Sequence, residues 1–210
     1  MKKLKRLFVG QAVKNTHTIW GDDSGCLFKC LAHLNNYYDG DTNNDIGLSA
    51  TIYENQCAQA YKSEWKEYLS KTGGTLGKDE DPDISQRDEL MGFIKERFGT
   101  TSDNWVSASG ANNSTWNSMV DDSRNANIEQ GCGSECGGRA LMLLNAGSGK
   151  YHAVVIEGKS KTDENGKTYW DSYDPSDNNP SGYSKIYRSQ IIYGVGISKK
   201  KVGDDEIPVE

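Results

Sequence analysis

Cys26 and Cys30 stand four residues apart in GDDSGCLFKCLAHL, where a glycine-bearing loop turns into a helical pattern. Such a pair can be packing residues, half of a metal or disulfide site, or a nucleophile beside a core residue. Position separates the two. Cys26 falls at the helix start, where unpartnered amide N–H groups and the positive end of the helix dipole stabilise a thiolate. Cys30 lies one turn further in, on the apolar stripe, and reads as a buried, inert thiol. The bland alternative for Cys26 is a small first-turn residue that merely packs.

A thiol nucleophile needs an imidazole within hydrogen-bond reach. The chain has three histidines, His17, His33 and His152. His33 follows Cys26 on the same helix about 10 Å along its axis, which excludes it as the base. His17 sits in a loop. His152 opens a strand whose other residues are nearly all apolar, so its ring must find polar partners. Asp171 and Asp174 are the carboxylates in question. Asn165-Gly166 is a strong two-residue hairpin signal, and it folds residues 167–173 back beside 151–158. Equal steps from that turn set 174 opposite 157, which leaves Asp174 far from His152. The hairpin alone permits either aspartate and favours neither.

The elements that must hold these residues follow from periodicity. Leu27, Cys30, Leu31, Leu34 and Tyr38 make one face of a helix ending near Asp39-Gly40. Tyr53, Cys57, Ala60, Tyr61, Trp65 and Tyr68 stripe a second helix over 51–70, stopped by Lys71-Thr-Gly-Gly. A third is expected near 85–98, with Ser85 and Asp88 as a capping box and Met91, Ile94 and Phe98 as its stripe. Residues 99–138, rich in Ser, Asn and Gly, read as long loops with one short helix. Then five short β-rich runs follow, at 139–146, 151–158, 167–173, 184–189 and 191–198. Helices first and an antiparallel sheet second is an α+β layout.

Composition excludes several classes. The net charge is −6, which offers no basic face for nucleic acid. No run approaches the ~18–20 apolar residues of a membrane span. MKKLKRLFVGQAV has a charged start, but Leu7–Val13 is short, broken by Gly10 and Gln11, and lacks a cleavage site, so no signal peptide is expected. Five cysteines cannot all pair within one chain, and a reducing compartment is the simpler assumption. Cys132 and Cys136 in GCGSECGG lack two further zinc ligands and read as free thiols or a local disulfide. That segment also lacks the Lys-Ser/Thr ending of a phosphate loop. GKDEDPD reads as a solvated loop, and Trp65, Trp105, Trp116 and Trp170 as packing residues. Trp20, six residues before Cys26, is a candidate for lining a substrate cleft.

Together these residues resemble a known family. Gly25-Cys26-Leu-Phe-Lys-Cys30-Leu31-Ala32-His-Leu34, followed by Asn-Asn-Tyr-Tyr-Asp-Gly40, is similar to the nucleophile helix of papain-like cysteine peptidases. The branch is the one containing the bacteriocin-leader-processing (double-glycine) peptidases and their bacterial and phage relatives. Tyr151-His152-Ala-Val-Val-Ile-Glu-Gly158 is similar to the family's histidine strand, and Asp171-Ser-Tyr-Asp174-Pro175 to its aspartate-proline motif. The resemblance covers roughly residues 10–40 and 138–198.

It implies a papain-like fold, with an N-terminal nucleophile helix and further helices packed on a C-terminal curved antiparallel sheet. One domain would span 1–200, with a divergent region at 41–137 and a flexible acidic tail at 201–210. It implies a Cys26–His152–Asp174 triad, with Asp171 as second choice, and Gln11 as oxyanion donor. No metal and no cofactor are implied. The substrate would be a peptide bond in a protein or a cell-wall peptide, and the protein a monomer with no nucleic-acid or membrane partner, placed in the cytoplasm or a phage particle. Two other uses of the same fold are an acyl transferase with the same triad and an inactive phage-particle or binding protein.

Overall fold

Helix α1 (Cys26–Asp39) starts directly after Gly25 and buries Leu27, Cys30, Leu31 and Leu34 completely. The computed structural model describes residues 25–39, 50–76, 82, 84–131, 137–147, 150–175 and 183–200. Gln11, His17, Trp20, Cys132, Cys136 and the tail at 201–210 therefore lie outside the described residues.

Helix α2 (Ala50–Thr72) packs on α1 and turns Cys57, Tyr61 and Trp65 into the same core. It stops at the expected Thr-Gly-Gly signal. Gly73 adopts φ 75°, and the Gly74 N–H donates to the Leu69 carbonyl at 3.0 Å, which closes the helix end. Helix α3 (Arg87–Lys95) starts later than expected. A 3-10 turn at Ile84–Gln86 precedes it, so Gln86, not Ser85, is the N-cap, and the Ser85–Asp88 capping box gives way to that turn.

The largest departure lies at 99–138, expected as long loops with one short helix. Strands β1 (Gly99–Thr100) and β2 (Val106–Ser107) are there, followed by the 17-residue helix α4 (Asn113–Glu129). An Asn112–Thr115 capping box sets its start. Its inner face is Trp116, Met119 and Val120, continued by two fully buried polar residues, Ser123 and Asn127. Their bonds go to the ends of the sheet. Ser123 Oγ donates to the Ile197 carbonyl and accepts the Arg139 N–H, and Asn127 Oδ1 accepts the Lys199 N–H at 2.8 Å. An apolar stripe cannot announce a helix two of whose five buried residues are polar.

The sheet continues with β3 (Arg139–Gly147), β4 (Lys150–Glu157), β5 (Lys161–Thr162), β6 (Thr168–Tyr173), β7 (Tyr183–Tyr187) and β8 (Ile191–Ser198). Its order is β1-β8-β3-β4-β6-β5, with β2 also on β8 and β7 also on β6, antiparallel throughout and not closed. The runs in β3, β4 and β8 are apolar almost without alternation because both faces are covered. Leu141, Leu143, Ala153, Val155, Val195 and Ile197 meet α1, α2 and α3. Ala140, Met142, Leu144, Val154, Ile156 and Ile191 join Trp116, Met119 and Val120 of α4. The result is an α+β architecture with four helices, among the described residues, packed on a large open antiparallel sheet. No helix among the described residues is long and apolar enough to cross a membrane.

Candidate active site

The site forms where β6 parts from β4. The two strands pair only at Val155↔Tyr173 and Ile156↔Ser172. Continued, that register sets 174 level with 154, three residues away from the simple hairpin expectation. The slip arises beside Gly158, which adopts φ 73°, because β5 pairs with β6 in a different register, Lys161↔Tyr169. The turn itself is tied by Asp163, whose carboxylate accepts the Asn165 and Lys167 N–H groups. Asp174, the first residue past β6, thereby meets His152 near the start of β4, with Oδ1 2.7 Å from the ring Nε2.

Below Val155, the β6 flank of β4 is open, and α1 fills it. The Ala153 N–H donates to Cys26 Sγ at 3.2 Å, and Cys30 Sγ donates to the Ala153 carbonyl at 3.3 Å. A strand residue's N–H and C=O point to the same side, so the two cysteines together satisfy the peptide groups that β6 no longer serves. Cys30 is fully buried, as expected, but it is also a hydrogen-bonding latch. Cys30→Ser should retain the latch and leave the site intact. Cys30→Ala should cost about 1 kcal/mol of stability, measured by urea unfolding, while alkylation of Cys26 proceeds at its native rate.

Cys26 is 8% exposed, at the tip of α1. Its Sγ, bound to the N–H of the residue next to His152, lies near enough to the ring to act on its protonation. Asp174 engages Nε2, which leaves Nδ1 as the ring nitrogen for Cys26. Burial works against the charged imidazole, but the hydrogen bond to Asp174, the neighbouring Cys26 and the charge of Asp174 outweigh it. The His152 pKa is pushed up to about 10. A raised pKa means that the folded chain holds a proton the unfolded chain releases near pH 6.5. The stability this contributes is complete below about pH 6.5 and is lost as pH rises through about 10. In urea unfolding at pH 6, 8 and 10.5, the margin of the native chain over His152→Gln should therefore be widest at pH 6 and narrowest at pH 10.5.

The other candidates fall elsewhere. Asp171 lies on the face of β6 opposite Asp174, where it pairs with Lys161 and stands across from Lys185. His33 hydrogen-bonds Glu157 at 3.2 Å and stacks on the Tyr173 ring at 3.9 Å, in a cluster that Arg139 completes at 3.0 Å from the same carboxylate oxygen. Burial would raise the Glu157 pKa, but the His33 hydrogen bond and the Arg139 charge hold it below the usual range. The four internal tryptophans pack: Trp65, Trp116 and Trp170 are fully buried and Trp105 is 9% exposed. Among the described residues no cluster of three or more His, Cys, Asp or Glu is placed to hold a metal ion.

Sequence reasoning missed Ala153, whose role is carried by its backbone, and Ser184, whose hydroxyl donates to Asp174 Oδ2 at 3.0 Å. Neither residue type carries a signal that could have singled it out. Comparison of the chain with protein-family models, with curated proteins and with solved structures gives no match in any of the three.

Proposed function

We propose that the chain is a papain-like cysteine peptidase or amidase that cleaves a peptide bond through a thioester on Cys26. The single observation that carries this reading is the convergence of Cys26, His152 and Asp174 from a helix tip, a strand start and a strand end: His152 meets Asp174 at 2.7 Å, and Cys26 Sγ accepts the N–H of the adjoining Ala153 at 3.2 Å. Three polar groups so far apart in sequence converge on one another where two of them are largely buried. That arrangement favours chemistry over a packing role for Cys26.

In this reading His152 takes up the Cys26 proton, or holds it at rest as one half of an ion pair, with the Ala153 N–H as a donor to the sulfur. The thiolate attacks the amide carbonyl carbon, and the oxygen takes the negative charge. The Cys26 N–H, among the first amides of α1 and without an intrahelical partner, is placed to donate to that oxygen. Gln11, the second oxyanion donor in the resemblance, lies outside the described residues. His152 then passes its proton to the leaving nitrogen, the C–N bond breaks, and a thioester remains. Water, deprotonated by His152, attacks the thioester. The acid leaves and the Cys26–His152 pair is restored. Asp174 holds the ring in one tautomer and balances its positive charge throughout.

A mixed pool of protein-derived and cell-wall peptides, read for new termini by mass spectrometry, tests the activity. The native chain should generate new amine and carboxyl ends, and a Cys26→Ala chain none. Cleavage that persists in Cys26→Ala would sink the proposal.

A further inference from the structure

We propose that Ser184 is a positioning residue of this site: its hydroxyl, donated to Asp174 Oδ2, keeps the other carboxylate oxygen turned onto His152. The inference rests on the reading of Cys26, His152 and Asp174 as one catalytic series.

Ser184 stands in β7, directly across from Ser172 of β6 in the register Ser172↔Ser184. Its Oγ lies 3.0 Å from Asp174 Oδ2 and 3.1 Å from Ser172 Oγ. Ser172 Oγ also lies 3.1 Å from the Ser184 carbonyl oxygen, and Ser172 is fully buried. An ionised carboxylate has no proton to give, so Ser184 must be the donor to Asp174. Having given its one proton there, Ser184 Oγ has none for Ser172, whose own hydroxyl donates to the Ser184 carbonyl. The direction of the last link is therefore fixed, from Ser184 to Asp174, and the other carboxylate oxygen accepts from His152.

The carboxylate needs such a hold. The terminal torsion of an aspartate is broad and roughly two-fold, so the side chain's own preference does little to aim either oxygen. The Asp174 side chain is 14% exposed, which limits how well water can replace a lost hydroxyl. The hold also gives a purpose to β7. Among the described residues that strand pairs with β6 alone, yet through Ser184 it reaches the end of the catalytic series.

Histidine-ring NMR on the full chain, with three histidines and His152 assigned through His152→Gln, tests this directly. In the native chain His152 should titrate near 10. Asp174→Asn should lower that midpoint. Ser184→Ala should lower it by at least about one pH unit, a tenfold weaker hold on the proton. Ser184→Thr, which keeps the hydroxyl and suits a strand, should restore the native midpoint. If Asp174→Asn lowers it and Ser184→Ala does not, or if Ser184→Thr falls as far as Ser184→Ala, the role of Ser184 is overturned while the triad stands. If Asp174→Asn leaves it unmoved, the triad reading fails and the Ser184 proposal fails with it.

Discussion

Cys26→Ala of the proposed peptidase should leave a folded chain that no longer cleaves. The expected loss in kcat/KM is on the order of 10⁴-fold or more, because removing the nucleophile removes the covalent route altogether and leaves only binding and oxyanion contacts. The cost to the fold is small by comparison. Cys26 Sγ accepts one backbone bond, from the Ala153 N–H, and its loss is worth about 1 kcal/mol. Leu27, Cys30, Leu31 and Leu34, all fully buried, keep α1 docked without it. Turnover and thermal unfolding measured on the same preparation should therefore separate cleanly, with activity gone and the transition shifted by only a few degrees. An unfolded variant, or one with near-native turnover, would contradict this division of labour between Cys26 and the rest of α1.

Gly138→Ala should do the reverse and damage the fold. A Cβ on Gly138 would lie 1.8 Å from the Val120 carbonyl oxygen and 2.7 Å from its carbon. Both atoms are backbone in the middle of α4, so no side chain can swing aside. Either α4 lifts from the sheet or β3 shifts, and each disturbs the core that Trp116, Met119 and Val120 share with Met142 and Val154. The expected loss is about 3 kcal/mol, a large share of the roughly 5–15 kcal/mol that holds a domain together. Gly110→Ala is the matched control, since a Cβ there meets nothing within 4 Å. Urea unfolding should place Gly110→Ala near the native chain and Gly138→Ala far below it.

These two residues mark what the sequence could and could not tell. Cys26 was legible because the helix start, the apolar stripe behind it and the strand-opening His152 each obey a local rule. The five principal strands were legible for the same reason. Runs rich in Val, Ile, Leu and Tyr are local signals, and each strand lies within a residue or two of its expected span. Gly138 was not legible. In GCGSECGG it looks like one more loop glycine, and only the approach of α4 explains the absent Cβ. Helix α4 itself was hidden because Ser123 and Asn127 take core positions and direct their bonds to strand ends remote in sequence. The choice between Asp171 and Asp174 also lay beyond local rules. It turns on a register change near Gly158 that carries Asp174 to His152 and leaves Asp171 beside Lys161. Ser184 belongs to the same class, since its meaning depends on what lies across the β6–β7 ladder.

The central claim is that His152 activates Cys26. Limiting iodoacetamide at pH 7, with alkylation of Cys26 followed by mass spectrometry in the native chain and in His152→Ala, tests it most directly. The account predicts that the native Cys26 is modified about 10²-fold faster than the same thiol in His152→Ala, the size of effect a positioned acid–base partner supplies. Equal rates in the two chains would mean that the imidazole does nothing for the sulfur, and would contradict the account at its core.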